Sequence, residues 1–319
     1  MAQLFAFLLI PGFSMMDFAS AAEPLRSANR MGGDLYRWRT LSQDGLPVPA
    51  SNGMSIAVDG GLEDLAEGDM LFVVATYEPL AELTAALLPW LRRQDRLGVT
   101  LGGVDTGAFV LAHAGLMNGV RMTVHWEAID ALIESYPDLQ VSHELFEIDG
   151  RRVTSAGGTS SMDLMLELIA KDHGAELAMK VCEQFVHGKI RARRDQQRLA
   201  VPHRYNLQNR KLQAVIERIE QNIDKDLSIE ELASGVCITR RQLERLFRTE
   251  LDESPAEFRQ RLRLDKARQL LQQSDLCIMQ VSMACGYDSP SYFARCYRER
   301  FSRTPRQDRA VLTGRVVDN

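Results

Sequence analysis

The hydrophobic pattern of this chain changes character once, near residue 200, and no other feature constrains its fold as much. Before that point, short apolar runs alternate with stretches of helical period. Residues 4–10 form a continuous apolar run closed by Pro11-Gly12, and Leu71-Phe72-Val73-Val74 forms another within residues 70–75. Apolar runs this short, bounded by turn residues, read as buried strands. Residues 35–41 and 97–101 read as further strands. Residues 14–30 (despite Pro24), 79–93, 107–116, the stretch after Gly157-Gly158-Thr159, and 174–187 read as helices. Residues 145–149 and 152–154 flank Asp149-Gly150, a hairpin turn. Strands alternating with helices predict a layered α/β unit with a largely parallel sheet. After residue 206 nothing has strand period, and the rest reads as helices joined by short turns.

The predicted organisation is an α/β domain over residues 1–190, a linker over 191–206, an all-α domain over 207–312 and a flexible tail over 313–319. The linker rests on the cluster Lys189, Arg191, Arg193, Arg194 and Arg198, followed by Pro202. A chain of 319 residues supports two domains, each able to bury its own core. The net charge of −5 hides an asymmetry: residues 1–200 carry a net −9 and residues 201–319 a net +4. An acidic half joined to a basic half is one signature of a nucleic-acid-binding module on another platform.

The five cysteines, Cys182, Cys237, Cys277, Cys285 and Cys296, include no CxxC pair. They read as small buried hydrophobes in a reduced setting, with neither a disulfide framework nor a metal site. No Lys or Arg precedes the apolar run at 4–10, which argues against a signal peptide. No stretch approaches the roughly 20 apolar residues of a membrane span. A cytoplasmic protein that needs no membrane is the expectation.

In the helical half, Ser228 and Glu231 form a capping box ahead of apolar Ile229, Leu232 and Ala233. After a turn at residues 235–238, Thr239 caps a second helix. Its Leu243, Leu246 and Phe247 fall on one face, so Arg241, Gln242, Glu244, Arg245 and Arg248 fall on the other. That is a helix-turn-helix with an Arg/Gln outer face. Ser254-Pro255-Ala256-Glu257 starts a long connecting helix, and the pattern then recurs. Ile278, Val281 and Ala284 face inward, Cys285-Gly286-Tyr287 turns, and Ser289 caps a helix that shows Ser291, Arg295, Arg298 and Glu299 outward. Two recognition helices about 34 Å apart enter successive major grooves.

The run Ala284-Cys285-Gly286-Tyr287-Asp288-Ser289-Pro290-Ser291-Tyr292-Phe293-Ala294-Arg295, followed by Arg300-Phe301 and Thr304-Pro305, resembles the signature of the AraC/XylS family. Ser302 stands where that family has Gly, and Gln307-Asp308-Arg309 where it often ends in Tyr-Arg. The resemblance spans residues 207–310. It implies base reading by Arg241, Glu244 and Arg245 in the first unit and by Pro290, Ser291 and Arg295 in the second. Arg248 and Arg298 would touch phosphates. Arg240, Gln242 and Ser289, at the starts of the two helices, complete the expected DNA-facing set.

In the α/β half, Leu101-Gly102-Gly103-Val104-Asp105-Thr106-Gly107-Ala108 marks a sharp strand-to-helix turn, and Thr123-Val124-His125-Trp126-Glu127 follows. The arrangement resembles the class I glutamine amidotransferase-like (PfpI) superfamily, which implies a flavodoxin-like three-layer α/β/α fold. Those enzymes carry Cys at the turn, followed by a His. Here Asp105 takes the Cys position and His125 is kept. A carboxylate cannot serve as a thiolate nucleophile, so an amidase or hydrolase is the distant alternative. Ala22-Glu23-Pro24-Leu25-Arg26, Asp105 to Ala112, His125-Trp126, and Thr154 to Thr159 leading to Asp163 resemble the GlxA type of AraC regulators, which joins the two folds.

That resemblance implies a ligand-responsive transcription regulator, most simply an activator. Its partners would be promoter DNA, RNA polymerase, a second copy of the chain and a small cationic or zwitterionic metabolite, with no cofactor. Similar regulators control catabolism of carnitine, glycine betaine, sarcosine or arginine. A carnitine- or glycine betaine-like effector is expected, with arginine or another amino acid as the alternative. Asp17, Glu23, Asp105 and Glu127 supply candidate negative charge. Phe13, Phe18, Tyr77 and Trp126 supply aromatic faces, and Thr106 and His125 supply polar contacts.

Overall fold

A computed structural model of the protein describes residues 2–312; the predicted tail at 313–319 lies outside the described residues. The chain divides into two compact units, and the boundary falls after Gln197.

The first unit opens with strand β1 (Gln3–Leu9), helix α1 (Met15–Gly32) and β2 (Tyr36–Leu41). A small antiparallel pair, β3 (Val48–Pro49) and β4 (Ser55–Ile56), precedes β5 (Met70–Ala75), α2 (Leu87–Arg96), β6 (Thr100–Asp105) and α3 (Gly107–His113). Next come β7 (Arg121–Thr123), α4 (Ile129–Ser135) and β8 (Gln140–Ser142), then the hairpin of β9 (Phe146–Asp149) and β10 (Arg152–Ser155), and finally α5 (Ser160–His173) and α6 (Ala175–Gln184). The main sheet has the order β2-β1-β5-β6-β10-β9, and only β9 runs antiparallel to its neighbour.

Phe5, Phe7, Leu9, Phe72, Val74 and Val104 point to the face covered by α1, α5 and α6 and form one core with Leu25, Leu164, Ile169 and Val181. The opposite face carries Ala6, Leu8, Leu71 and Val73, all fully buried, with α3 against β5 and β6. Strands sandwiched in this way must be apolar on both faces, which is why β1 and β5 show no alternation. The result is the three-layer α/β/α arrangement.

Two local expectations are corrected, and the linker is defined more closely. The helix predicted over 79–93 begins only at Leu87. Pro89 is the reason: its ring would clash with the carbonyl of Ala85 inside a helix, but it is tolerated in the first turn. The strand predicted over 97–101 runs instead over Thr100–Asp105, straight through Gly102-Gly103. A Cβ on Gly103 would lie 2.4 Å from the Ala108 amide nitrogen, so this glycine marks close packing of α3 and not the strand's end. The linker predicted over 191–206 is not free chain. Arg191, Arg193 and Gln197 are bonded into the first unit, and Val201 belongs to the core of the second.

The second unit contains α7 (Val201–Arg204), α8 (Arg210–Gln221), α9 (Ile229–Ser234), α10 (Arg240–Leu251), α11 (Pro255–Gln273), α12 (Ile278–Ala284), α13 (Pro290–Phe301) and α14 (Pro305–Leu312). Ser228/Glu231, Thr239/Gln242 and Ser254/Glu257 close capping boxes at α9, α10 and α11. Leu212, Val215, Ile216, Leu232, Leu243, Phe247 and Phe258 form a core around the first helix pair. Val281, Phe293, Cys296 and Tyr297 are buried around the second, where the Tyr297 hydroxyl donates to Asp308 at 2.7 Å. Cys182, Cys285 and Cys296 are buried free thiols, whereas Cys237 and Cys277 sit exposed at helix starts and turns, against the expectation for them. Among the described residues, no helix is long and apolar enough to cross a membrane.

Candidate functional sites

The second unit presents two short helix pairs, α9–α10 and α12–α13. On α10, Leu243 and Phe247 are buried, and Arg241, Gln242, Arg245 and Arg248 are exposed. Their states differ. Arg240 is held by Glu230 and Glu244, each at 2.8 Å, and Arg248 lies 3.1 Å from Glu257. The Gln242 carboxamide closes the cap by accepting from the Thr239 amide at 2.9 Å. Arg241 and Arg245 form no ion pair among the described residues, so their guanidinium groups are available to base edges or phosphates. On α13, Ser289, Pro290, Ser291, Arg295 and Arg298 are all exposed. The Ser289 hydroxyl accepts from the Tyr292 amide, and the Arg295 guanidinium lies 5.2 Å from the centre of the Tyr292 ring.

In the first unit a second site forms at the carboxyl ends of the central strands, where open α/β sheets bind ligands. Asp105 ends β6 in the left-handed region, with φ 57°, and α3 begins two residues later. Its carboxyl group is buried and hydrogen-bonded to that of Asp17, which lies in the first turn of α1. Burial and the neighbouring Asp17 hold Asp105 well above the usual carboxylate range. A hydrogen bond from Thr76 pulls the other way, and the charge of Glu127 adds to the rise. Two carboxyl groups in contact cannot both ionise cheaply, which is why Asp17 raises Asp105. Asp17 also accepts from the Gly158 amide. The loop must come close here, because a Cβ on Gly157 would sit 2.7 Å from that of Asp105.

Tyr77 is exposed, and partial desolvation followed by the charges of Glu127, Asp105 and Asp17 raises its phenol. His125 is pushed down by burial, against the pull of Glu127 and Asp17. Its Nδ1 lies 3.8 Å from Glu127, and its ring lies 5.5 Å from that of Trp126. Asp17, Asp105, Glu127, Tyr77, His125 and Trp126 thus form one cluster.

Four predicted residues stand differently. Phe13 is fully buried and belongs to the sheet core. Phe18 is half-buried and meets Phe7 and Phe13 edge-on, at 5.6 and 6.2 Å. Glu23 lies further along α1, paired with Arg26 at 2.7 Å, and contributes nothing to the charge environment of Asp105, His125 or Tyr77. Thr106 spends its polar atoms internally. Its amide donates to the Ala75 carbonyl and its hydroxyl to the Thr76 carbonyl, so it braces the turn. Two contributors escaped the sequence reading, Thr76 and the Gly158 amide. Thr76 had a signal, since it directly follows the buried run of β5.

Comparison with known proteins matches a family model to each unit. The DJ-1/PfpI family model matches residues 5–171, and a helix-turn-helix domain model matches residues 232–310. The HTH-type transcriptional regulator CdhR of Pseudomonas aeruginosa is 62% identical over 312 residues, which is 98% of this chain and 93% of that protein. The HTH-type transcriptional regulator GbdR of the same species is 42% identical over 308 residues, 96% of this chain and 84% of that protein. A crystal structure of an AraC family transcriptional regulator from Pseudomonas putida matches at 29% identity with a TM-score of 0.53, over 57% of this chain and 99% of that one.

Proposed function

This chain belongs to the AraC/GlxA-type transcriptional regulators, a DJ-1/PfpI-family domain joined to a DNA-binding helix-turn-helix domain, and from that premise we propose that a small quaternary ammonium or amino-acid metabolite bound at the Asp17–Asp105 cluster controls its action at promoters. The cluster's chemistry carries the reading. A methylated ammonium cannot donate hydrogen bonds and is held best by carboxylates beside aromatic faces. Asp17 and Glu127 supply the first, joined by Asp105 once it ionises, and Tyr77 and Trp126 supply the second. A carnitine- or glycine betaine-like compound fits this environment. Arginine is the alternative, and it would use the same carboxylates through its N–H groups.

In this reading the protein works in the cytoplasm as a homodimer, activates transcription with RNA polymerase and is not an enzyme. The residue at the strand–helix turn is a carboxyl group raised by burial and by Asp17, and it cannot replace a thiolate nucleophile. Arg241 and Arg245 with Pro290, Ser291 and Arg295 read bases. Arg248 and Arg298 set the register on phosphates.

The test is a thermal-shift series on the full chain with carnitine, glycine betaine, dimethylglycine, sarcosine and arginine. A ligand at 100 times its Kd should add about 2.7 kcal/mol to the domain that binds it. A shift with a methylated ammonium alone supports the proposal, a shift with arginine alone selects the alternative, and no shift with any of them refutes both.

A further inference from the structure

Residues 187–197 carry the chain from the end of α6 to Arg198, where the second unit begins. Several contacts hold this segment, including Arg193 with Glu144 and Glu147 and His187 with Asp163, and two polar anchors among them reach the residues behind the ligand site. At the first, the Arg191 amide donates to Asp163 Oδ1 at 2.8 Å, its Nε donates to Oδ2 at 2.8 Å and its Nη2 donates to Thr159 Oγ1 at 2.7 Å. Asp163 is fully buried, so loss of Arg191 would weaken the compensation of a buried carboxylate that the Arg191 side chain, itself partly exposed, provides. At the second, Gln197 Nε2 lies 2.9–3.1 Å from Thr123 Oγ1 and the carbonyls of Val124 and Glu144. One NH2 group faces three acceptors with two hydrogens, and Gln197 Oε1 is buried without a partner. The second anchor is therefore imperfectly satisfied, and an imperfect buried polar network is open to rearrangement.

The two anchors stand behind different walls of the ligand site. Thr159 follows Gly158, whose amide donates to Asp17. Val124 precedes His125, Trp126 and Glu127. We propose that Arg191 and Gln197 are positioning residues for the regulatory response: they tie the segment that enters the DNA-binding unit to both walls of the ligand site, so that occupancy of the site sets the hold on that segment. This rests on the ligand reading above. A ligand that competes for Asp17 moves Gly158, and with it the hydroxyl that holds Arg191. A ligand against His125 and Glu127 moves the backbone that holds Gln197.

Hydrogen exchange of the full chain tests the coupling without a ligand. Asp17→Asn should speed exchange across residues 187–197 by about tenfold. Gln197→Ala, which touches only the Val124 wall, should speed exchange at Gly158 and Thr159. Effects confined to the wall each substitution touches would overturn the proposal. If Asp17→Asn does not fold, Arg191→Lys read at residues 123–127 replaces it, with the same two outcomes. With saturating glycine betaine as probe, Gln197→Ala should bind the probe within about threefold of wild type yet lose its effect on promoter affinity. An unchanged effect would overturn the role of Gln197. A wild-type chain that ignores glycine betaine, with exchange coupling present, refutes that effector and supports the anchors.

Discussion

Asp105 shows how one substitution reassigns a fold's chemistry. The strand–helix turn that would display a thiolate instead holds a carboxyl group against a second one, and burial with that neighbour raises Asp105 well above the usual carboxylate range. Because the folded pKa of Asp105 is raised, its stability contribution is complete below the ordinary carboxylate pKa and is lost as pH rises through the raised value. Asp105→Asn should therefore gain melting temperature relative to wild type as pH rises above the ordinary carboxylate range; a gap that stays constant with pH would mean that Asp105 is not raised. For the same reason a cationic effector should bind more tightly as pH rises, which titration calorimetry across a pH series checks. His125 has the opposite sign. Burial lowers it below the 6.5 of a free imidazole, so it should be neutral at pH 7, with an NMR titration midpoint below that of a free histidine. On the DNA face, Arg241→Ala should cost about 1–3 kcal/mol at the target promoter if Arg241 grips a guanine edge. Equal weakening on random DNA would assign Arg241 to phosphate. Arg240→Ala should cost less, because Glu230 and Glu244 already occupy that guanidinium.

At the scale of elements, turns and caps place these residues. α3 starts so close to β5 that a Cβ on Gly107 would lie 1.9 Å from the Val73 carbonyl oxygen. Gly107→Ala must push α3 off the sheet and should cost about 3 kcal/mol or more, measured by urea unfolding. Thr239 fixes the start of α10 and so the direction in which Arg241 and Arg245 leave it. Thr239→Ala should cost about 1 kcal/mol through the lost cap, a loss that denaturant titration followed by helical signal would detect. The capping boxes and the hairpin at Asp149-Gly150 were legible in the sequence because their interactions span only three or four residues. The start of α2 was not, since apolar period continues ahead of Pro89 while the ring forbids the helix.

At the scale of the molecule, each unit has its own core, and the charge divides along the same line, acidic before residue 200 and basic after it. A fragment of residues 198–319 should fold and bind the promoter with affinity that falls steeply with salt, as phosphate contacts require, and should not respond to any effector. Gel shifts across a salt series check both points; a fragment that cannot bind at all would mean that the first unit supplies DNA contacts. The boundary after Gln197 falls inside the linker expected over 191–206. The basic cluster at 189–198 looks like solvated linker, but Arg191 and Arg193 find their carboxylate partners, Asp163, Glu144 and Glu147, some 28 to 49 residues away in the chain.

The sequence by itself determined the two folds, the two helix-turn-helix pairs and the residues on their outer faces. Period, caps and turn residues are local, and a helix's buried stripe dictates its exposed one. It also determined that the residue at the strand–helix turn is a carboxylate. Only the tertiary structure decided which polar groups meet. It brought Asp17 onto Asp105, set Tyr77 and Glu127 beside them, sent Phe13 into the core and Glu23 away to Arg26, and bound Arg191 and Gln197 behind the site. These pairings join segments that the sheet's strand order brings together, and no local period carries that information.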